Sequence, residues 1–139
     1  MHKIDRWIEK VYFGYDLRNF YLRIDLVNLK HQEFPAAAHV LVQFASPEKL
    51  MLRLEHNIRD RWTYRILESS HSKPKVEFAG NLILEIAVPL DTLNISRADE
   101  ARFCLSILEN DQEIERFPPF GFFEIPVDPW NLDTEEWII

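Results

Sequence analysis

Apolar and polar residues alternate with a period of two near the start of the chain. From residue 20 to residue 27 the apolar positions are Phe20, Leu22, Ile24 and Leu26, and the positions between them are Tyr21, Arg23, Asp25 and Val27. This period places alternate side chains on opposite faces of a β-strand. The pattern therefore predicts a strand that buries the first set of side chains and turns the second set towards solvent or a second layer.

The residues before this strand predict a partner for it. The stretch IEKVYFGYD is rich in β-branched and aromatic residues, and the DLRN segment that follows contains Asp16 and Asn19. Both residue types favour short turns, because their side chains bond to nearby backbone groups. We therefore predict that two antiparallel strands open the fold.

Seven further short segments repeat this pattern. Each is rich in β-branched or aromatic residues and is bounded by turn-forming sequences such as SPEK, HSKP, AGN and PPFG. They cover residues 39–44, 49–56, 62–69, 75–80, 82–89, 102–110 and 121–127. No segment of ten or more residues has a helical apolar period, although PLDTLN is compatible with one helical turn. Eight or nine strands without crossover helices predict an all-β fold, a two-layer antiparallel β-sandwich.

Length and composition favour one compact domain. The chain has 139 residues, which suffice for a single core, and its hydrophobic fraction of 47% excludes intrinsic disorder. We therefore treat residues 1–139 as one β-sandwich domain. The single cysteine, Cys104, lies in the apolar run RFCLSIL, and we predict a small buried side chain rather than a nucleophile.

The charge pattern limits the classes of partner. A formal net charge of −7 without a run of Lys or Arg argues against nucleic acid, which is bound through clustered basic residues. No apolar run approaches the roughly 18 residues of a membrane span, and residues 1–10 lack the pattern of a signal peptide. We expect no membrane partner and a cytoplasmic location.

Motifs of common enzymes and cofactor sites are absent. Three glycines are too few for a phosphate-binding or dinucleotide-binding loop, and no Gly-x-Ser-x-Gly segment occurs. Five histidines are scattered without paired spacing, so no metal site is predicted. Acidic residues are so numerous that chance pairs are expected, and Glu85 is interpreted as pointing inward or between the layers. We expect a non-catalytic segment without cofactor or metal.

The segment DRWTYRILE is the best candidate for a binding surface. Trp62 and Tyr64 share one strand face, and Arg65 is adjacent to them. If this face points outward it forms an aromatic platform on which a sugar ring can stack, whereas if it points inward the same aromatics belong to the core. Ile66 lies on the same strand face as Trp62 and Tyr64, and its apolar side chain favours the core alternative. Trp130, near the end of the chain, is the next candidate.

Arg23 and Asp25, on the outward parity of the second strand, have two interpretations. The first is a surface charge pair that contributes little to stability. The second is a docking surface for another domain. We therefore interpret the opening hairpin as a structural element. It is a binding site only if its outer face contacts a partner.

Four sequence motifs carry a resemblance to a known family. The motifs are VYFGYDLRNFYLRIDL, LEIAVPLDTLNI, ENDQEIERFPPFGFFEIPV and the terminal EEW. Together they resemble the C-terminal β-sandwich domain of glycoside hydrolase family 57 proteins, which include amylases and glucanotransferases. That domain is itself similar to carbohydrate-binding modules of family 9 and to DOMON-like sandwiches. The likeness runs from about Ile4 to Trp137.

The resemblance implies an accessory domain of a larger polysaccharide-acting protein, with the catalytic domain N-terminal in the same chain. No motif here matches the catalytic segments of family 57, so no catalytic residue is assigned. One hypothesis is α-glucan binding through exposed aromatics, with Trp62, Tyr64, Arg65 and Trp130 as the candidate residues. The other is a structural module that packs on the catalytic domain and binds no sugar.

Overall fold

The described part of the chain consists of β-strands and their connections. The computed structural model describes residues 6–27, 34–56, 61–80, 83–96 and 99–129, together with the backbone of residues 137–138. In chain order the strands are β1 (Ile8–Tyr15), β2 (Asn19–Leu26), β3 (Ala38–Ser46), β4 (Leu50–His56), β5 (Trp62–Ser69), β6 (Glu77–Gly80), β7 (Ile83–Pro89), β8 (Asp99–Glu109), β9 (Gln112–Phe117), β10 (Phe123–Val127) and β11 (Trp137–Ile138). None of these residues belongs to a helix that could cross a bilayer.

The strands form two antiparallel sheets. The first sheet has the order β11-β1-β2-β7-β6. The second has the order β10-β8-β3-β4-β5, and β9 also pairs with β8. The predicted all-β, two-layer antiparallel sandwich is confirmed. The segment PLDTLN forms a turn, in which the backbone N–H groups of Thr92 and Leu93 donate to the Pro89 carbonyl oxygen.

The strand count exceeds the prediction, chiefly because of β9. Asn110 and Asp111, whose residue types favour turns, follow β8 with positive φ values of 51° and 62°. The chain then returns along β8 as a hairpin, in residues 112–117, which belong to none of the predicted strands. β9 lies at a sheet edge, and three of its six residues are exposed. An exposed edge strand has no alternating apolar period, so its sequence does not reveal it.

Side chains from both sheets meet in one core. The predicted buried set of β2 is confirmed, since Phe20, Leu22, Ile24 and Leu26 are all at most 7% exposed. Phe20 of the first sheet lies edge-on to Phe44 and Phe103 of the second, with ring centroids 5.8 Å away in each case. Cys104 is buried, as predicted, and burial raises the pKa of its thiol.

Polar contacts tie the two sheets together along both open sides. On one side the Glu115 carboxylate of β9 accepts hydrogen bonds from the backbone N–H groups of Trp7 and Ile8, at the start of β1. Burial raises the pKa of this carboxyl despite those bonds. On the other side the Tyr64 hydroxyl of β5 donates to the Val76 carbonyl oxygen, just before β6, at 3.1 Å.

Leu84→Ala and Leu105→Ala each test the predicted strand faces. Both leucines are fully buried, so either change should lower the free energy of unfolding by about 2–5 kcal/mol. Urea unfolding followed by circular dichroism measures the loss. Leu67→Ala is the matched control, since that side chain is 44% exposed and should cost less than about 1 kcal/mol. Equal losses at Leu67 and Leu84 would contradict the assigned faces.

Candidate functional site

The outer face of the first sheet, turned away from the core, carries a depression of about 510 Å³. Its lining comes from β1, β2, β7 and β6. Pockets for small ligands usually have volumes of about 300–1,000 Å³, so the depression has the size of a small-ligand site. We call this surface the outer depression.

Strand pairing builds the outer depression from two rows of residues. In the first row Tyr12, Arg23, Glu85 and Ala79 stand side by side on the four strands. In the second row the order is Gly14, Tyr21, Ala87 and Glu77. Each row therefore combines a tyrosine and a glutamate with at least one residue that has little or no side chain. The small residues leave space on the sheet, and the larger side chains surround it.

Tyr21 is held in place by the turn between β1 and β2. Its hydroxyl donates to Oδ2 of Asp16 at 2.7 Å and accepts from Nδ2 of Asn19 at 3.2 Å. Oδ1 of Asp16 accepts from the backbone N–H groups of Arg18 and Asn19, at 2.7 and 2.8 Å. The Tyr21 side chain is 40% exposed, so it remains accessible to a ligand.

These bonds also shift the pKa values of the pair. The hydrogen bond to Asp16 raises the pKa of Tyr21, because the bond is lost when the phenol ionises. Partial burial alone would raise the pKa of Asp16. The bonds donated by Tyr21, Asn19 and Arg18 outweigh burial and lower it, because they favour the ionised carboxylate.

Arg23 is fixed beside Tyr12. Its Nε and Nη2 atoms donate to the two carboxylate oxygens of Asp25, at 2.8 and 3.2 Å. Its guanidinium carbon lies 4.9 Å from the centroid of the Tyr12 ring, within the range of a cation–π contact. The outward orientation predicted for Arg23 and Asp25 is confirmed, and Arg23 lines the outer depression.

Two glutamates complete the outer depression. Glu77 and Glu85 are both exposed, and neither forms a hydrogen bond or ion pair within the described part of the chain. The inward or interlayer position expected for Glu85 is therefore wrong, since its neighbours Leu84 and Ile86 occupy the buried face of β7. The segment LILEIAVP is almost wholly apolar, so its sequence does not distinguish the two faces.

The aromatic residues proposed from DRWTYRILE lie elsewhere. Trp62 packs against the edge of the core, stacks on His56 with ring centroids 4.9 Å apart, and contacts Phe34 at 5.4 Å. Tyr64 is 41% exposed, but its hydroxyl is already bonded to the backbone before β6. This arrangement matches the core alternative for Trp62.

The remaining predicted candidates do not join these residues. Arg65 is exposed on the opposite face of β5 from Trp62 and Tyr64. None of the three lines the outer depression. Trp130 lies outside the described residues. The structure thus brings together a group of residues that the sequence did not single out as a site, namely Tyr12, Tyr21, Glu77 and Glu85.

Neither a metal-binding group in the described residues nor a known relative assigns a function to the outer depression. The described residues contain no group of three or more His, Cys, Asp or Glu that could hold a metal ion. Comparison of the chain with protein-family models, curated proteins and solved structures finds no match. The side chains of the outer depression offer two aromatic faces, a guanidinium group and two carboxylates that have no partner in the described part of the chain.

Asp16→Asn tests the anchor of Tyr21. A lowered pKa in the folded state means that Asp16 stabilises the protein above its unfolded pKa, and that this contribution is lost as the pH falls through the folded value. We expect the variant to be less stable than the native protein by about 1 kcal/mol at pH 7. The difference should shrink as the pH falls below the unfolded value of 3.8, and it should vanish once the pH is below the lowered folded value.

Urea unfolding between about pH 7 and pH 2 checks this expectation. Glu77→Gln is the control, because Glu77 has no partner within the described part of the chain and its loss should leave stability nearly unchanged at every pH. A stability difference for Asp16→Asn that does not vary with pH would rule out the ionised carboxylate as the stabilising group.

Proposed function

We propose that this chain is a non-catalytic, carbohydrate-binding accessory domain of a family 57-like glycoside hydrolase. The proposed ligand is an α-glucan, and the proposed site is the outer depression. One observation carries the proposal, which is that Tyr12 and Tyr21 lie in the same depression as two carboxylates that have no ion pair among the described residues, beside small residues that leave room for a ring.

The side chains of the outer depression suit a sugar chemically. A sugar ring presents C–H groups on its faces and hydroxyl groups around its rim. Aromatic side chains such as Tyr12 and Tyr21 pack against the C–H faces, and the free oxygens of Glu77 and Glu85 accept hydrogen bonds from hydroxyls. A few convergent polar groups around an apolar surface are typical of small-ligand sites.

The outer depression is also largely preorganised. Tyr21 is held by Asp16 and Asn19, and Arg23 is held by Asp25 at two points. Side chains that are already ordered lose little rotamer entropy when a ligand binds, so more of the contact energy contributes to affinity. The ordered side chains of Tyr21 and Arg23 therefore support a binding role for this face of the sheet.

The resemblance to the family 57 C-terminal domain supports the accessory role. A sugar-binding domain tethered to an enzyme raises the effective concentration of the polysaccharide at the active site. Such a role requires only a binding surface on this domain, since the tethered enzyme supplies the catalytic groups.

A structural module that packs on the catalytic domain is the second candidate function. Phe120 is 91% exposed in the loop between β9 and β10, where Pro118, Pro119 and Gly121 surround it. A large apolar side chain held out in solvent suits burial against another domain. This contact would lie on the second sheet, so the two functions use different surfaces.

Isothermal titration calorimetry with maltoheptaose and soluble starch tests the proposal. We expect saturable binding that Tyr21→Ala weakens about thirtyfold or more, as expected for an aromatic residue at the centre of a binding site. Arg65→Ala is the control, because Arg65 does not line the outer depression and its loss should leave affinity unchanged. Trp130→Ala tests the remaining residue predicted from the sequence.

The outcomes separate the two candidate functions. Loss of binding in Arg65→Ala or Trp130→Ala, with Tyr21→Ala unaffected, would move the site away from the outer depression. Folded protein that binds no α-glucan at all would favour the docking module. Phe120 would then be the first residue to test against the catalytic domain.

A further inference from the structure

The charges around the outer depression do not balance. Arg23 is the cation that lines it, and its Nε and Nη2 donors are taken by Asp25. Lys10 of β1 stands opposite Asp25 in the strand register. Two cations therefore stand among three carboxylates, those of Asp25, Glu77 and Glu85, and neither glutamate has an ion pair in the described residues.

The two glutamates occupy neighbouring positions across the sheet. Glu77 pairs with Ala87, and Glu85 is two residues before Ala87 on the same face of β7. Diagonal neighbours of this kind have Cα atoms about 7–8 Å apart. Arg23 stands beside Glu85 in the strand register, and its pKa is raised chiefly by the hydrogen bond to Asp25, to which the charge of Glu85 adds. The pKa of Tyr21 is raised chiefly by its hydrogen bond to Asp16, to which the charge of Glu77 adds. A ligand in the depression is therefore within reach of both carboxylates.

We infer that Glu77 and Glu85 make the outer depression selective for charge. It accepts uncharged sugars and sugars that carry an amine, and it rejects sugars that carry a carboxylate or sulfate. The inference rests on the proposed carbohydrate-binding function and concerns the same site. An anionic group entering the depression meets two like charges, and the guanidinium that could neutralise it is already paired with Asp25.

The expected selectivity is moderate and sensitive to salt. One charge pair near a protein surface changes affinity by up to about fivefold. Two carboxylates therefore give at most about a 25-fold difference between a neutral sugar and its singly charged analogue. Salt screens such interactions, because the Debye length falls from about 30 Å at 0.01 M to about 3 Å at 1 M ionic strength.

Three matched ligands test the inference, namely maltoheptaose, a derivative with one C6 group oxidised to a carboxylate, and a derivative with one 6-amino-6-deoxy unit. Calorimetry at 20 mM salt should show the amine derivative binding most tightly and the oxidised derivative at least about fivefold more weakly than maltoheptaose. In the double variant Glu77→Gln/Glu85→Gln the affinities for the three ligands should converge to within about twofold. Raising the salt to 500 mM should make the native affinities converge in the same way.

A second double variant distinguishes local charge from net charge. Glu100→Gln/Glu124→Gln removes two negative charges from the second sheet, where both glutamates face Arg102. Its selectivity should equal that of the native protein, and convergence there would overturn the assignment to Glu77 and Glu85. Equal affinity of the native protein for all three ligands would overturn the charge selectivity and leave the proposed function standing. Folded protein that binds none of them overturns both.

Discussion

The burial of one face of β2 against the second sheet is the constraint on which the other features depend. Phe20 packs edge-on against Phe44 and Phe103 from two strands of the opposite layer. Because side chains alternate along a strand, this packing also turns Tyr21 and Arg23 away from the core. A register shift of one residue would exchange the two sets, exposing Phe20 and burying a charged guanidinium. The packing of the core and the composition of the outer face are therefore both determined by the register of β2.

Strand order then converts this outer face into a depression. β2 lies between β1 and β7, so Tyr12 and Glu85 come to stand on either side of Arg23. The small residues are contributed by three different strands and meet only because the strands pair in this register. Local hydrogen bonds complete the arrangement, since the Asp16 turn orders Tyr21 and Asp25 orders Arg23. The stability of the fold and the geometry of the proposed site consequently depend on the same pairings.

The two proposed surfaces lie on opposite layers of the sandwich. The outer depression belongs to the first sheet, whereas Phe120 extends from the loop that joins β9 to β10 in the second. A domain that docked through Phe120 would leave the depression open to a polysaccharide. Sugar binding and packing against a catalytic domain are therefore compatible in one molecule, although each is proposed on separate grounds.

The local sequence by itself determined the fold class, most strands, the buried face of β2 and the burial of Cys104. It did so because alternation with a period of two can be recognised from neighbouring residues alone. It did not reveal β9, whose exposed edge position leaves no apolar period, or the outward side of Glu85 in a nearly continuous apolar run. The tertiary structure alone decided where the candidate site lies. The tyrosines Tyr12 and Tyr21 are distant in sequence from the glutamates Glu77 and Glu85, and the two pairs meet only because β2 pairs with β7. Trp62 stacks on His56, a neighbour that sequence spacing does not identify.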